Sequence, residues 1–219
     1  MRLYSFYRSS AAYRVRLALA LKGIEHEIVP IHLRRRDQEQ PAYRALNPQG
    51  LVPALEVDGR VIGQSLAILE YLEERFPGTP LLPADLMDRA WVRSLAQAMA
   101  VDIHPLNNLR VMRYLLRVLK LEDAAKDAWV AHWSAAGLAT VERMLTEDSR
   151  TGRFCHGDTP TLADVCLLPQ VRHAQWAGLD VSPYPTAVRI ADELARLDRV
   201  AAAHPAAQPD ADPEDISCR

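Results

Sequence analysis

Two adjacent hydroxyls, Ser9 and Ser10, follow a cation, Arg8, and open a helical run that extends to Lys22. A helix N-terminus carries unpaired N–H groups and partial positive charge, so it favours an anion. One serine is enough to cap the helix. The second is left over, and Arg8 adds a fixed charge beside it. No Cys-x-x-Cys is present in this stretch, so it is not a dithiol redox site. It reads as a holder for an anion that arrives from outside, with plain capping as the competing reading.

Two other places have the same character. In LVPALE, Pro53 removes a ladder donor at the start of a strand. A cis Val52–Pro53 bond would turn the Val52 backbone groups outward, where an extended peptide could pair with them. An ordinary strand-entry proline is the alternative. At the next helix start, the Ser65 N–H and hydroxyl and the Gln64 amide can grip a carboxylate, or Ser65 can simply be the N-cap. Hydroxyls for a thiolate, a backbone edge for a peptide and a grip for a carboxylate together describe a receptor for a short thiol peptide.

The elements that must position these groups read as follows. Leu3 to Phe6 is a short strand. Ser10 to Lys22 is a helix, apolar around much of its circumference and so covered on two sides, ended by Gly23. HEIVPIHL is a second strand, which Pro30 marks as an edge. LVPALEV, the turn Asp58-Gly59 and RVI form a hairpin, and Ser65 to Arg75 is a helix. The order β-α-β, then β-β-α, implies one parallel and one antiparallel pairing. Three prolines and a glycine in Pro77–Asp85 mark a linker. Beyond it no strand signal occurs, and helical patterns run over Met87–Leu119, Glu122–Thr146, Leu162–Ala177 and Pro185–Ala202. Thr161 and Asp164 form a capping box, with Pro160 and Val165 as its staple. The division expected is residues 1–80 as an α/β domain, 81–87 as linker, 88–205 as an all-α domain and 206–219 as a mobile tail.

The bulk properties agree with an ordinary globular protein of 219 residues, 49% hydrophobic and 25% charged. A net charge of −2 gives no electrostatic case for nucleic acid or an anionic membrane as partner. No apolar run approaches the ~20 residues of a membrane span. Cys155, Cys166 and Cys218 lack metal or redox spacing and read as incidental thiols in a reducing, cytoplasmic setting.

The motifs resemble those of the glutathione transferases, and most of all the zeta class, which includes maleylacetoacetate and maleylpyruvate isomerases. The resemblance covers nearly the whole chain, from RLYSFYRSS and YRVRLALALKGI through ALNPQGLVPALEVDG, QSLAILEYLEE and DIHPLNNLRV to GDTPTLADVCLLPQV. It implies the glutathione transferase architecture, an α/β thioredoxin-like N-terminal domain (βαβ-ββα) followed by an all-α domain, with glutathione as cofactor and a homodimer. Ser9 and Ser10 would face the sulfur. Val52, before Pro53, would pair with the cysteinyl backbone. Gln64 and Ser65 would bind the γ-glutamyl end, and Gln38 would lie near the glycyl end. His104, Asn108 and Arg110 would come from the all-α domain to sulfur and substrate, although His104 can also be a mere neighbour of the kink at Pro105. Arg8 and Arg110 are the candidates for the substrate's carboxylate and enolate oxygens, since guanidinium suits planar anions; a surface or interdomain ion pair is the alternative for Arg8.

The reaction implied is cis–trans isomerisation by reversible thiolate addition to the double bond of a maleyl compound, in tyrosine and phenylalanine breakdown. Lowering a thiol pKa from about 8.5 by about two units needs about 2.7 kcal/mol of preference for the anion. A helix end supplies ~0.3–1 kcal/mol and a charge-assisted serine hydrogen bond ~1.5–3, so no general base is required. We favour Ser9 on the sulfur and Ser10 nearer the cap. Three departures bear on the substrate. Ala11 stands where the zeta motif usually has cysteine, and Leu109 and Trp176 stand where relatives offer arginines. Losing two carboxylate partners favours maleylacetoacetate over maleylpyruvate. The alternatives are maleylpyruvate isomerisation, a transferase or dehalogenase acting on small α-halo acids, and a ligand-binding module without catalysis.

Overall fold

The computed structural model describes residues 1–212. The chain divides into two compact units, Met1–Leu81 together with the segment from Arg196 onward, and Leu82–Ala195. No helix among the described residues is long and apolar enough to cross a membrane.

The first unit holds β1 (Arg2–Ser5), α1 (Ser10–Lys22), β2 (Glu27–Pro30), α2 (Pro41–Leu46), β3 (Ala54–Val57), β4 (Arg60–Gly63) and α3 (Ser65–Arg75). The strand order is β2-β1-β3-β4. β1 and β2 are parallel, with Ser5 opposite Pro30, so Pro30 does lie on the edge strand. β3 is antiparallel to β1, with Tyr4 opposite Ala54. The hairpin to β4 closes through Asp58 (φ 50°) and Gly59 (φ 73°), both left-handed, as a tight turn compatible with strand twist requires. α1 is buried along nearly its whole length, including Arg14 and Arg16. It packs against α3 and against a 3₁₀ helix, Asp198–Ala203. Gly23 (φ 65°) ends it, and the Ile24 N–H reaches back to the Leu19 carbonyl. Lys22 and Glu73, 2.7 Å apart and almost fully enclosed, tie the end of the unit down. Lys22 also donates to the Phe76 and Thr79 carbonyls, and Glu73 accepts the Leu81 N–H.

The second unit is helical: α4 (Leu86–Gln97), α5 (Leu109–Arg117), α6 (Asp123–Glu147), α7 (Leu162–Trp176) and α8 (Pro185–Ala195). α7 is buried along most of its length because α4, α6 and α8 pack around it. The capping box at its start forms as expected, with the Asp164 carboxylate accepting from the Thr161 N–H and hydroxyl. Burial pushes the Asp164 carboxyl above the usual carboxylate range. Cys155 and Cys166 are buried thiols; Cys218 lies outside the described residues.

Three sequence expectations need correction. The helix expected over Met87–Leu119 is broken: a π-helical turn, Ala98–Ile103, and a 3₁₀ turn, His104–Asn107, separate α4 from α5. Pro105 has no N–H to continue an α-helix and its ring crowds the preceding turn. The pattern over Pro185–Ala202 likewise splits after Ala195. The segment from Arg196 belongs with the first unit, because Ala203 and Asp210 bond to residues near the start of the chain. Residues 206–212 are therefore not a free tail; the rest of the expected tail, 213–219, lies outside the described residues.

Candidate functional site

The N-terminus of α1 is built by a tight loop. Ser9 donates its N–H to the Phe6 carbonyl at 3.0 Å, and its own carbonyl accepts the Tyr13 N–H at 2.8 Å. The Ser9 hydroxyl oxygen accepts the Ala12 N–H at 3.2 Å, which makes Ser9 the N-cap and Ser10 the first helical residue. The assignment of capping to Ser10 is thus corrected by one position. Both serines are acceptable caps, and the backbone decides between them: Ser9 is extended, with φ −73° and ψ 113°. Capping uses only a lone pair, so the Ser9 hydroxyl keeps its proton to donate to an anion. Ser10 is buried and Arg8 half-buried beside it.

The loop before β3 contains the cis Val52–Pro53 peptide that the sequence suggested. Its approach is held by residues that sequence reasoning missed. Tyr43 Oη and Asn47 Nδ2 both donate to the Leu51 carbonyl, at 2.6 and 2.8 Å. The Asn47 side-chain oxygen accepts the Gln49 N–H, and the Gln49 side-chain oxygen accepts from Gln64 Nε2 at 2.9 Å. A chain of side-chain amides thus connects the loop to the start of α3. Burial pushes the Tyr43 phenol up to about 12, so it remains a donor. The signal for this network is the run ALNPQG, whose asparagine and glutamine flank a turn. Gln38 is buried against this loop: a Cβ on Gly50 would sit 3.0 Å from the Gln38 carbonyl. The Gln38 Oε1 is enclosed without a hydrogen-bond partner among the described residues.

At α3, Gln64 rather than Ser65 is the N-cap, and it has φ 65°. No side chain among the described residues caps this helix, so its first-turn N–H groups are left for an external anion. Ser65 is buried, and its hydroxyl oxygen accepts from Arg14 Nη1 at 3.2 Å. Arg14 therefore ties the second turn of α1 to the start of α3 and keeps the two helix ends near each other. Ser9 and Ser10, Gln38, Val52 with Pro53, and Gln64 with Ser65 all lie within this one unit.

The arginines of YRVRLAL are the other residues missed. Arg16 donates through Nη1 to Ser5 Oγ (3.0 Å) and the Phe6 carbonyl (3.3 Å), and through Nη2 to the Tyr7 carbonyl (3.0 Å). Burial pulls its pKa down to about 10, which still leaves it a cation near neutrality. Two arginines inside an otherwise apolar helix are the signal that marks them as interior braces.

His104, Asn108 and Arg110 lie in the second unit. His104 opens the 3₁₀ turn and is half-buried. Asn108 is the N-cap of α5, its side-chain oxygen accepting the Arg110 N–H at 3.1 Å; its amide NH2 remains a donor. The turn is fixed from α6, where Ser134 Oγ accepts from Asn107 Nδ2 at 3.0 Å and Trp129 Nε1 donates to the Leu106 carbonyl. Arg110 is exposed, Leu109 is the first residue of α5, and Trp176 is the last of α7.

Comparison with known proteins gives a consistent result. Residues 3–80 match the glutathione S-transferase N-terminal domain. The chain is 46% identical over 213 residues to a maleylacetoacetate isomerase of Pseudomonas aeruginosa, covering 96% of this chain and 98% of that one. The holo structure of a maleylpyruvate isomerase, described as a bacterial zeta-class glutathione S-transferase, superposes with a TM-score of 0.95 at 44% identity, covering 97% of this chain and all (100%) of that one. A maleylacetoacetate isomerase of Methylobacterium extorquens AM1, solved with malonate and GSH bound, gives a TM-score of 0.94 at 45% identity, over 97% of this chain and 100% of that one. The chain belongs to the glutathione transferase family, in the zeta class of maleylacetoacetate and maleylpyruvate isomerases.

Proposed function

We propose that this protein is a glutathione-dependent cis–trans isomerase that converts maleylacetoacetate to fumarylacetoacetate. The observation that carries the reading is the set of three features in one unit: a capping serine that keeps a proton to donate, a cis Val52–Pro53 peptide at the entry to β3, and a helix, α3, that no described side chain caps. The orphaned, enclosed Gln38 Oε1 fits a ligand that brings a donor to it. These groups suit a thiol, a peptide backbone and a carboxylate, which are the parts of glutathione.

When bound, glutathione would supply a thiolate able to add reversibly to the maleyl double bond. The protein's part is electrostatic. Ser9 and Ser10 donate to the sulfur, and the N-terminus of α1 favours its charge. Val52 pairs with the peptide backbone, Gln64 and Ser65 hold the γ-glutamyl carboxylate, and Gln38 lies at the glycyl end. Arg8 and Arg110 hold the substrate's oxygens, and His104 and Asn108 contact cofactor and substrate. No side chain of this set is asked to act as a general base. With Leu109 and Trp176 in place of arginines, carboxylate recognition is reduced, which favours the longer maleylacetoacetate over maleylpyruvate. We place the enzyme in the cytoplasm, as a homodimer, in tyrosine and phenylalanine breakdown.

The test is steady-state isomerisation of maleylacetone, a stable stand-in for maleylacetoacetate, against maleylpyruvate, both with saturating glutathione. A larger kcat/KM for maleylacetone is expected. Reaction with neither, but consumption of glutathione with an α-halo acid, would replace this reading by the transferase one.

A further inference from the structure

The residues around Tyr7 form a clamp that none of the site assignments uses. The Tyr7 N–H donates to Asp210 Oδ2 at 3.1 Å, across 203 residues of sequence. The carbonyls on either side, Phe6 and Tyr7, accept from Arg16, whose Nε donates to the Ala203 carbonyl at 3.0 Å. The polar backbone groups just ahead of Ser9 are thus held by one buried cation and by the segment that returns from the end of the chain. Ala211 packs on the aromatic cluster of Tyr4, Phe6, Tyr7 and Tyr43 beneath the same loop. Gln208 fixes the returning segment by donating to the Ala202 and His204 carbonyls. Asp210 faces Arg16 as well, and its charge offsets part of the effect of burial on that guanidinium. Its Oδ1 is enclosed and has no hydrogen-bond partner among the described residues.

We propose that Asp210 is a positioning residue for glutathione activation: by holding the Tyr7 N–H it fixes the Phe6–Ser9 turn, and so the direction in which the Ser9 hydroxyl and the first N–H groups of α1 point. The proposal rests on the reading of Ser9 and Ser10 as the partners of the sulfur. Hydrogen-bond strength falls steeply with misalignment, so a loosened turn weakens the thiolate's donors before it weakens the rest of the peptide grip. A coupling of this kind is reciprocal: glutathione must tighten the clamp as the clamp favours the thiolate.

The experiment measures the pKa of bound glutathione, by thiolate absorbance, in the wild type, Asp210→Ala and Asp210→Asn, with affinity by calorimetry alongside. Asparagine keeps an oxygen acceptor for the Tyr7 N–H; alanine does not. The alanine variant is expected to raise the bound thiol pKa by about 0.5 unit or more, an about threefold smaller thiolate-to-thiol ratio, with kcat falling in step and glutathione affinity changing less. Asparagine should restore most of the difference. An alanine variant that loses thermal stability but keeps the wild-type thiol pKa, or an asparagine variant no better than alanine, overturns the proposal. Amide exchange in the wild type is the second arm and needs no variant. The Ala211 amide, which donates to the Gln208 carbonyl at 3.0 Å, should exchange several-fold more slowly with glutathione bound, and an unchanged rate overturns the coupling. A wild type that does not bind glutathione overturns the functional reading itself; a wild type with a lowered thiol pKa that Asp210→Ala leaves alone overturns only the clamp.

Discussion

On the proposed function, replacing Ser9 by alanine removes two interactions that can be separated. The first is the cap on α1, a single hydrogen bond from the Ala12 N–H at 3.2 Å. Loss of such a cap costs about 0.5–2 kcal/mol of stability. The second is the donation of the Ser9 proton to the sulfur, a charge-assisted bond of ~1.5–3 kcal/mol. Since one pKa unit is about 1.4 kcal/mol, its loss should raise the bound thiol pKa by about one to two units. Ser9→Asp separates the two effects. Aspartate caps about as well as serine but offers no proton and adds like charge, so stability should stay near wild type while the thiol pKa rises at least as far as in the alanine variant. Ser10→Ala, at the first helical position, should leave the cap intact. Thiolate absorbance titrations and denaturant unfolding on all three variants supply both readouts. A thiol pKa unchanged by Ser9→Asp, with Ser10→Ala raising it, would refute the assignment of Ser9 to the sulfur.

Gln64 holds a left-handed backbone, φ 65°, at a position proposed to hold the γ-glutamyl end of glutathione. Gln64→Gly should stabilise the fold by ~1 kcal/mol while weakening glutathione binding, and calorimetry with thermal unfolding would detect the opposite signs. Gly137 lies on α6 where a Cβ would collide with the Ile103 side chain at the π-helical turn. Gly137→Ala should cost about 1–3 kcal/mol, and combining it with Ile103→Ala should cost less than the two separate losses together, as a double-mutant cycle would show. Asp85 accepts the Met87 and Asp88 N–H groups at the start of α4, and these hold its carboxyl below the usual range. A carboxylate depressed in the folded state adds stability that is present above its unfolded pKa and lost as pH falls through the folded value. A serine in its place would cap without titrating, so the stability difference between wild type and Asp85→Ser should drift as pH falls below the carboxylate range; a gap independent of pH would contradict it.

The parts of this fold legible in the sequence are those fixed by neighbours in the chain. Gly23, the Asp58-Gly59 turn, the edge position of Pro30 and the Thr161–Asp164 box each depend on a few adjacent residues. The break at 98–107 was not legible, because apolar periodicity runs on through a π-helical turn; only Pro105 hinted at it. α2, six residues long, is too short for periodicity to register. The return of residues 196–212 to the first unit depends on Arg16–Ala203 and Tyr7–Asp210 bonds that no local pattern announces. At the candidate site the same rule holds. The chemistry-bearing pairs were visible by type, while the choice of Ser9 over Ser10 and of Gln64 over Ser65 as N-cap depends on backbone angles. The supporting residues Arg14, Arg16, Asn47 and Gln49 act through contacts distant in sequence or through turn geometry.

The most direct measurement is proton NMR of maleylacetone mixed with the protein and glutathione at a small fraction of the substrate concentration. The account predicts complete conversion to the trans isomer over many turnovers per glutathione, no conversion without it, and glutathione recovered intact. Accumulation of a glutathione conjugate, or no conversion by protein shown to bind glutathione, would contradict it.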